Sequence, residues 1–162
     1  MAEERFTFFA DSSSPFSQWY LDAPFTKFGI TFPSAENFMM WRKGQVFGAP
    51  QAMLDELASA SPRNARALGR RVPGFSNKVW LAVARPLVAE GNYAKFTQHP
   101  ALLEALFATA GTTLVEAAHW DAIWGIGLSA DDERALSRVT WLGTNWLGEV
   151  LTDVRDTLLR AG

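Results

Sequence analysis

The stretch Pro33-Ser-Ala-Glu-Asn-Phe-Met-Met-Trp-Arg-Lys-Gly-Gln-Val-Phe47 decides the fold class. Proline followed by serine marks a helix start. Ser34 offers an N-cap oxygen to the first orphan N–H groups, and Glu36 puts a negative charge in the first turn, where the helix dipole favours it. The segment predicts a helix from Ser34 to about Phe47. Within it Glu36, Met39, Met40 and Lys43 stand at i, i+3, i+4 and i+7, so one face carries an acid, an apolar spacer and an amine. Two readings are open. Either the face is a pocket wall on which Glu36 handles protons, or it is a surface pair flanking two core methionines. Spacing alone favours the second, because most carboxylates are ordinary.

Working outward, residues 25–32 read as extended chain interrupted at Gly29, and Arg5-Phe-Thr-Phe-Phe9 as a short strand entering the turn-rich Asp11-Ser-Ser-Ser-Pro15. On the other side, further helices are expected at 50–60, 62–71, 76–90, 100–109 and 143–160, each opened by Pro, Ser or Asn or closed by Gly. Pro86 is expected to kink or shorten the helix that begins at Ser76. Residues 112–117 have the β-branched content of a short buried strand, and 120–128 are aromatic and glycine-punctuated, as in a shaped loop. The sum is an α+β fold, mostly helical, with a small β-sheet. No repeat or composition shift marks a boundary, so residues 1–162 are expected to form a single domain.

Composition narrows the chemistry. A chain of 162 residues with 48% hydrophobic content can build one sizeable core without disulfide or metal staples. The formal charge of -2 argues against a strong grip on a nucleic-acid backbone, which needs clustered Lys and Arg. Arg63, Arg66, Arg70 and Arg71 form a local basic run that can meet one or two phosphates, although such a run is more often a solvated helix face. The absence of Cys removes thiol nucleophiles and Cys-ligated zinc, and fits a reducing compartment. The acidic start and the lack of a long apolar run lead us to expect a cytoplasmic protein with no membrane association.

Two further constellations carry chemistry. In Gly91-Asn-Tyr-Ala-Lys-Phe-Thr-Gln-His-Pro100, Lys95 sits between aromatic rings in what reads as a linker between helices. Burial would lower its pKa and give a neutral amine able to attack a carbonyl carbon, whereas snorkelling past Tyr93 and Phe96 to solvent is the commoner outcome. In His119-Trp-Asp-Ala-Ile-Trp-Gly-Ile-Gly127 an acid stands between two indoles, followed by glycines that permit close backbone approach. Indoles can stack on a base, but Trp is more often core. Gly125-Ile-Gly127 is too short for a dinucleotide fingerprint, no serine-nucleophile motif is present, and His99 and His119 have no ligand-spaced partner. We expect no metal and no cofactor.

The order of these blocks resembles the YbiA/NADAR family of N-glycosidases over nearly the whole chain. The resemblance rests on Phe8-Phe9 with Ser14-Pro-Phe-Ser-Gln-Trp19; Phe32-Pro-Ser-Ala-Glu36 with Met39-Met40 and Lys43; Leu68-Gly-Arg-Arg71; Lys95-Phe96 with Gln98; Leu114-Val-Glu116; Asp121 with Trp124-Gly-Ile-Gly127; and Gly143, Asn145, Leu147-Gly148 and Arg155. It implies hydrolysis of the bond between a ribose anomeric carbon and a nitrogen. The substrates it implies are phosphorylated ribosylamino-pyrimidine intermediates of riboflavin synthesis, or ADP-ribose attached to guanine in DNA or RNA. It also implies Lys95, Glu36 and Asp121 as catalytic residues. Trp19, Trp124, Gly125, Arg70, Arg71 and Asn145 are the expected substrate contacts, with the Arg pair on phosphate. Gln18, His99 and His119-Trp120 depart from the family pattern near the implied pocket and bear on which base is held.

Two other functions compete. One is a non-catalytic ADP-ribose or nucleotide-binding module, against which the retention of all three polar candidates argues. The other is an interaction protein using Trp146, Val150, Leu151, Val154 and Leu158 on its last helix, a stripe that a core explains equally well. The oligomeric state is left open.

Overall fold

The computed structural model describes residues 3–162; Met1 and Ala2, at the head of the acidic start, lie outside the described residues. In chain order the elements are β1 (Phe6–Phe9), β2 (Phe25–Lys27), β3 (Ile30–Phe32), α1 (Ala35–Val46), α2 (Gln51–Ser59), α3 (Pro62–Gly69), α4 (Asn77–Thr97), α5 (Pro100–Phe107), β4 (Thr113–Glu116) and α6 (Trp146–Ala161), with two 3₁₀ turns at Glu133–Leu136 and Arg138–Thr140. The α+β, mostly helical class holds. The strands form two separate two-stranded sheets rather than one.

The backbone packs as two compact units, a middle unit of Gln18–Pro100 and a terminal unit made of the chain up to Ser17 with Ala101–Gly162. In the middle unit β2 and β3 form an antiparallel hairpin with Phe25 opposite Phe32. Its two-residue turn, Phe28-Gly29, has φ of 54° and 75°, the handedness that matches the twist of the strands. Phe25, Phe32, Phe38 and Trp41 then build an aromatic core between hairpin and α1, with Phe32 edge-on to Phe38 at 5.1 Å between centroids. The hairpin is also tied to the end of α4. Gln98 Nε2 donates to the Thr26 carbonyl and Gln98 Oε1 accepts from the Thr26 N–H, each at 2.8 Å.

Helix α1 starts where the cap predicts. Ser34 Oγ accepts from the Asn37 N–H at 3.2 Å, and Asn37 Nδ2 donates to the carbonyls of Leu57 and Ala60 at 3.0 and 2.7 Å. The first turn of α1 is thereby fixed to the end of α2. Helix α4 departs from expectation by running without interruption to Thr97. Pro86 deprives the Ala82 carbonyl of its helical donor, but both residues are exposed and water can replace the bond. Gly91 is not a stop signal. It lies where α4 crosses α1, and a Cβ there would collide with the Phe38 ring.

In the terminal unit β1 and β4 run parallel, Phe6 opposite Thr113 and Phe9 opposite Glu116. Val115, Ile126, Leu128 and Ala135 form its core, with Phe6, Phe8 and Trp141 packed against them. Val150, Leu151 and Val154 of α6 are buried, and α6 packs on β4, so the stripe on the last helix is core. Among the described residues no helix is long and apolar enough to cross a membrane.

Candidate active site

Lys95 belongs to the last turn of α4, not to a linker. Continuation through Gly91 brings Val88, Asn92 and Lys95 onto one face, at i, i+4 and i+7, and all three are buried. The Lys95 side chain is 0% exposed. Its Nζ lies 5.1 Å from the centroid of the Phe96 ring and 5.5 Å from that of Tyr20. Burial pushes the amine down from the ordinary lysine range to about 7. A lysine so placed is in part a neutral amine at neutral pH, the form that attacks an electrophilic carbon.

Glu36 occupies the first turn of α1 and is buried. Its N–H donates to the carbonyl of Gln18 at 2.9 Å. Gln18 Oε1 in turn accepts from Asn92 Nδ2 at 2.9 Å, and the same nitrogen donates to the Val88 carbonyl at 3.0 Å. Gln18 therefore joins the segment that bears Glu36 to the helix that bears Lys95. Asn92 Oδ1 and Gln18 Nε2 are buried with no hydrogen-bond partner among the described residues. Trp19 and Tyr20, next along from Gln18, are half-buried.

Lys43 lies two turns after Glu36 on α1 and is also buried. Its Nζ stands 4.3 Å over the Phe75 ring. Burial pushes its amine below the ordinary range; the Glu36 carboxylate works against that shift and the Arg70 guanidinium adds to it. Sequence reasoning placed Lys43 on the Glu36 face without giving it a role, and the signal was the i, i+7 spacing. Arg70, at the C-cap of α3, and Arg71 beside it are both exposed.

The remaining expected residues lie in the terminal unit. Asp121 is half-buried, and its Oδ1 accepts from the N–H groups of Ile123 and Trp124 at 2.9 and 2.8 Å, closing the turn between the two indoles. Trp124 is half-buried and packs edge-on to Trp146, 5.6 Å between centroids. Gly125 is required by packing: a Cβ would come within 2.9 Å of the Glu116 carbonyl oxygen and 3.0 Å of that of Asp121. Asn145 is fully buried, with φ of 55°. Its Oδ1 accepts from the Glu116 N–H and its Nδ2 donates to the Leu114 carbonyl, each at 3.0 Å. Arg155, another residue of the shared pattern, donates to Thr109 through Nη1 and to Asp156 through Nε. The unusual His99 ties its ring to the Pro24 carbonyl at 2.6 Å, and His119 and Trp120 are exposed, edge to face at 4.8 Å.

The structure thus places Lys95, Glu36, Trp19, Arg70 and Arg71 in one unit and Asp121, Trp124, Gly125 and Asn145 in the other. The middle unit by itself holds a buried amine of lowered pKa, a buried carboxylate and a partly occupied amide pair.

The family model described as NADAR domain matches residues 6–159. The N-glycosidase R617 of Acanthamoeba polyphaga mimivirus is 36% identical over 146 residues, covering 87% of this chain and 85% of that protein. The N-glycosidase YbiA of Escherichia coli K12 is 30% identical over 145 residues, covering 90% of this chain and 79% of that protein. A riboflavin biosynthesis protein of Zea mays, PYRR, is 31% identical over 137 residues, which span 80% of this chain but only 20% of that protein. The solved NMR structure of the Escherichia coli protein YbiA superposes with a TM-score of 0.78 at 26% identity, covering 99% of this chain and 89% of that one.

Proposed function

The chain belongs to the NADAR domain family, whose members named above include N-glycosidases, and from that premise we propose that it cleaves the bond between ribose C1 and a base nitrogen with Lys95 as nucleophile. The observation that carries this reading is the amine of Lys95, fully buried and held near pKa 7 in the same unit as the buried carboxylate of Glu36.

In the proposed reaction the lone pair of neutral Lys95 Nζ attacks C1 as the C1–N bond to the base breaks. Glu36, in its protonated form, gives a proton to the departing nitrogen and is left as the carboxylate, which makes the base a stable leaving group. The C1–O4 bond then breaks, its electron pair goes to O4, which takes up a proton lost from Nζ, and C1 and Nζ are left joined as an imine. Water then adds to C1, Nζ departs, and the products are the free base and a ribose with its own anomeric oxygen. Trp19 would cover the base or sugar, and Trp124 would act likewise from its loop. Asp121, which holds that loop through two backbone N–H groups, is the second candidate acid. We give Gly125 and Asn145 positioning roles, since Gly125 is packed within its own unit and both polar ends of the Asn145 amide bond to β4.

For substrate we propose a phosphorylated ribosylamino-pyrimidine or ADP-ribosylated guanine in nucleic acid. The test offers each to the purified protein and to Lys95→Ala, follows release of base by mass spectrometry, and adds borohydride during turnover. Base release from one substrate, lost in Lys95→Ala, with a reduced sugar adduct on Lys95, is the expected result. Full turnover by Lys95→Ala would overturn the role of the lysine. Tight binding of ADP-ribose with cleavage of neither substrate would favour a binding module.

A further inference from the structure

We propose that Gln18 and Asn92 read the base of the substrate: Gln18 Nε2 donates to a ring carbonyl, and Asn92 Oδ1 accepts from the ring N–H beside it. Gln18 is 8% exposed and Asn92 0%. Two primary amides set face to face can exchange two hydrogen bonds and satisfy each other, but this pair exchanges one. Asn92 Nδ2 spends one hydrogen on Gln18 Oε1 at 2.9 Å and the other on the Val88 carbonyl at 3.0 Å. The opposite ends, Gln18 Nε2 and Asn92 Oδ1, are buried with no hydrogen-bond partner among the described residues. A donor and an acceptor held in that way cost free energy, which a ligand bearing the complementary pair returns.

The polarity of the free pair is fixed. Turning the Asn92 amide over would set Oδ1 against the Val88 carbonyl, acceptor on acceptor, so Nδ2 faces Val88 and Gln18, and Gln18 answers with its oxygen. What is left is a donor on Gln18 and an acceptor on Asn92, the complement of a cis amide in a heterocycle. Guanine presents such an edge in C6=O and N1–H, and a pyrimidinone in its carbonyl and the adjacent ring N–H. Adenine and cytosine present the opposite order, an amino donor beside a bare ring nitrogen. The pair also adjoins the reacting groups. Asn92 lies one turn before Lys95 on α4, and the Gln18 carbonyl receives the Glu36 N–H at 2.9 Å. Gln18, with its flexible side chain, is the member that reaches toward an entering ring. Only the assignment of the bound ring as leaving group rests on the hydrolase reading.

Calorimetric titration of the whole chain with three matched nucleotides tests the pair. Inosine 5'-monophosphate carries the carbonyl and the N–H, its 1-methyl derivative keeps the carbonyl alone, and adenosine 5'-monophosphate reverses the order. The wild type should bind the first tenfold or more tighter than either of the others, because a site built to hydrogen-bond a group rejects the analogue that lacks it. Gln18→Glu keeps the acceptor that Asn92 Nδ2 uses and replaces only the free donor. It should lose the preference for inosine over adenosine, with a thermal melt confirming that it is folded. A wild type that binds inosine and adenosine monophosphates equally, prefers the latter, or binds neither overturns the reading without recourse to any variant. A folded Gln18→Glu protein that retains the full preference overturns the role of Gln18, and equal binding of the 1-methyl derivative overturns that of Asn92. The preference intact with no base release from either proposed substrate would retire the hydrolase reading alone, and base release without the preference would retire the base reader alone.

Discussion

Asn92 Nδ2 donates to Gln18 Oε1 at 2.9 Å, so a residue one turn before Lys95 holds the residue whose carbonyl receives the Glu36 N–H. Amine and carboxylate are thereby set by a single chain of two hydrogen bonds. The bond from Asn92 Nδ2 to the Val88 carbonyl fixes which end of the Asn92 amide faces Gln18, and this in turn orients the Gln18 amide.

Asn92→Leu removes both donated bonds and leaves Gln18 Oε1 buried without a donor. We expect a loss of about 1–3 kcal/mol in denaturant-derived stability. Base release should fall by tenfold or more even where the variant is fully folded, because Glu36 and Lys95 lose their common reference. Wild-type rates in a folded Asn92→Leu protein would show that the amide pair does not position the site.

The titration of Lys95 gives a signed prediction. With its folded-state pKa near 7 and an ordinary lysine value of 10.5 in the unfolded chain, the native state binds fewer protons between those values. Stability contributed through this group must rise as pH increases from about 7 towards 10.5 and be constant below that window. Relative to Lys95→Met, the wild type should gain several kcal/mol across that range, on the order of 1.4 kcal/mol for each pH unit. Chemical denaturation of both proteins at a series of pH values measures this. Base release should likewise rise with pH through about 7 as the amine is deprotonated.

Gly91→Ala places a methyl group against the Phe38 ring at the crossing of α1 and α4. Because ring and helix are both in packed core, we expect a cost of about 1–3 kcal/mol. Gly91→Ala combined with Phe38→Leu should recover part of it, and a thermal melt of the three variants gives the coupling. Additive costs would place the strain elsewhere.

Asn145→Ala loses both bonds to β4 and takes on a left-handed backbone conformation that alanine tolerates poorly. A destabilisation of about 2–4 kcal/mol is expected from two buried bonds and the backbone term. Asn145→Gly, which is free of the backbone term, should be less damaging by about 1 kcal/mol. Equal losses would mean that the hydrogen bonds alone carry the effect.

What the sequence revealed followed the range of each cause. Ser34 and Glu36 announced α1 because a cap acts within one turn, whereas Gly29 showed only as an interruption of extended chain, because the pairing that makes its φ of 75° a hairpin turn lies between β2 and β3. Gly91 misled because its reason lies on another helix, in the ring of Phe38. That one error carried Lys95 into a supposed linker and made its burial look partial. Asn145 and Gly125 stood out in the pattern, but nothing local shows that their contacts are with the backbone around β4. The separation into two small sheets was equally hidden, since β1 finds its partner only at Thr113–Glu116. Lys43 was visible as a spacing, whereas its burial against the Phe75 ring is a fact of three dimensions.

The amide of Gln98 has a consequence for solubility. A hairpin of two short strands leaves two rows of main-chain groups open, and such edges are templates on which another chain can add a strand. On the outer side of β2 both main-chain groups of Thr26 are already taken by Gln98, which imitates one residue of a neighbouring strand. The helix that carries Lys95 thus ends by occupying the main-chain groups at one edge of the hairpin, where an added strand would otherwise bind.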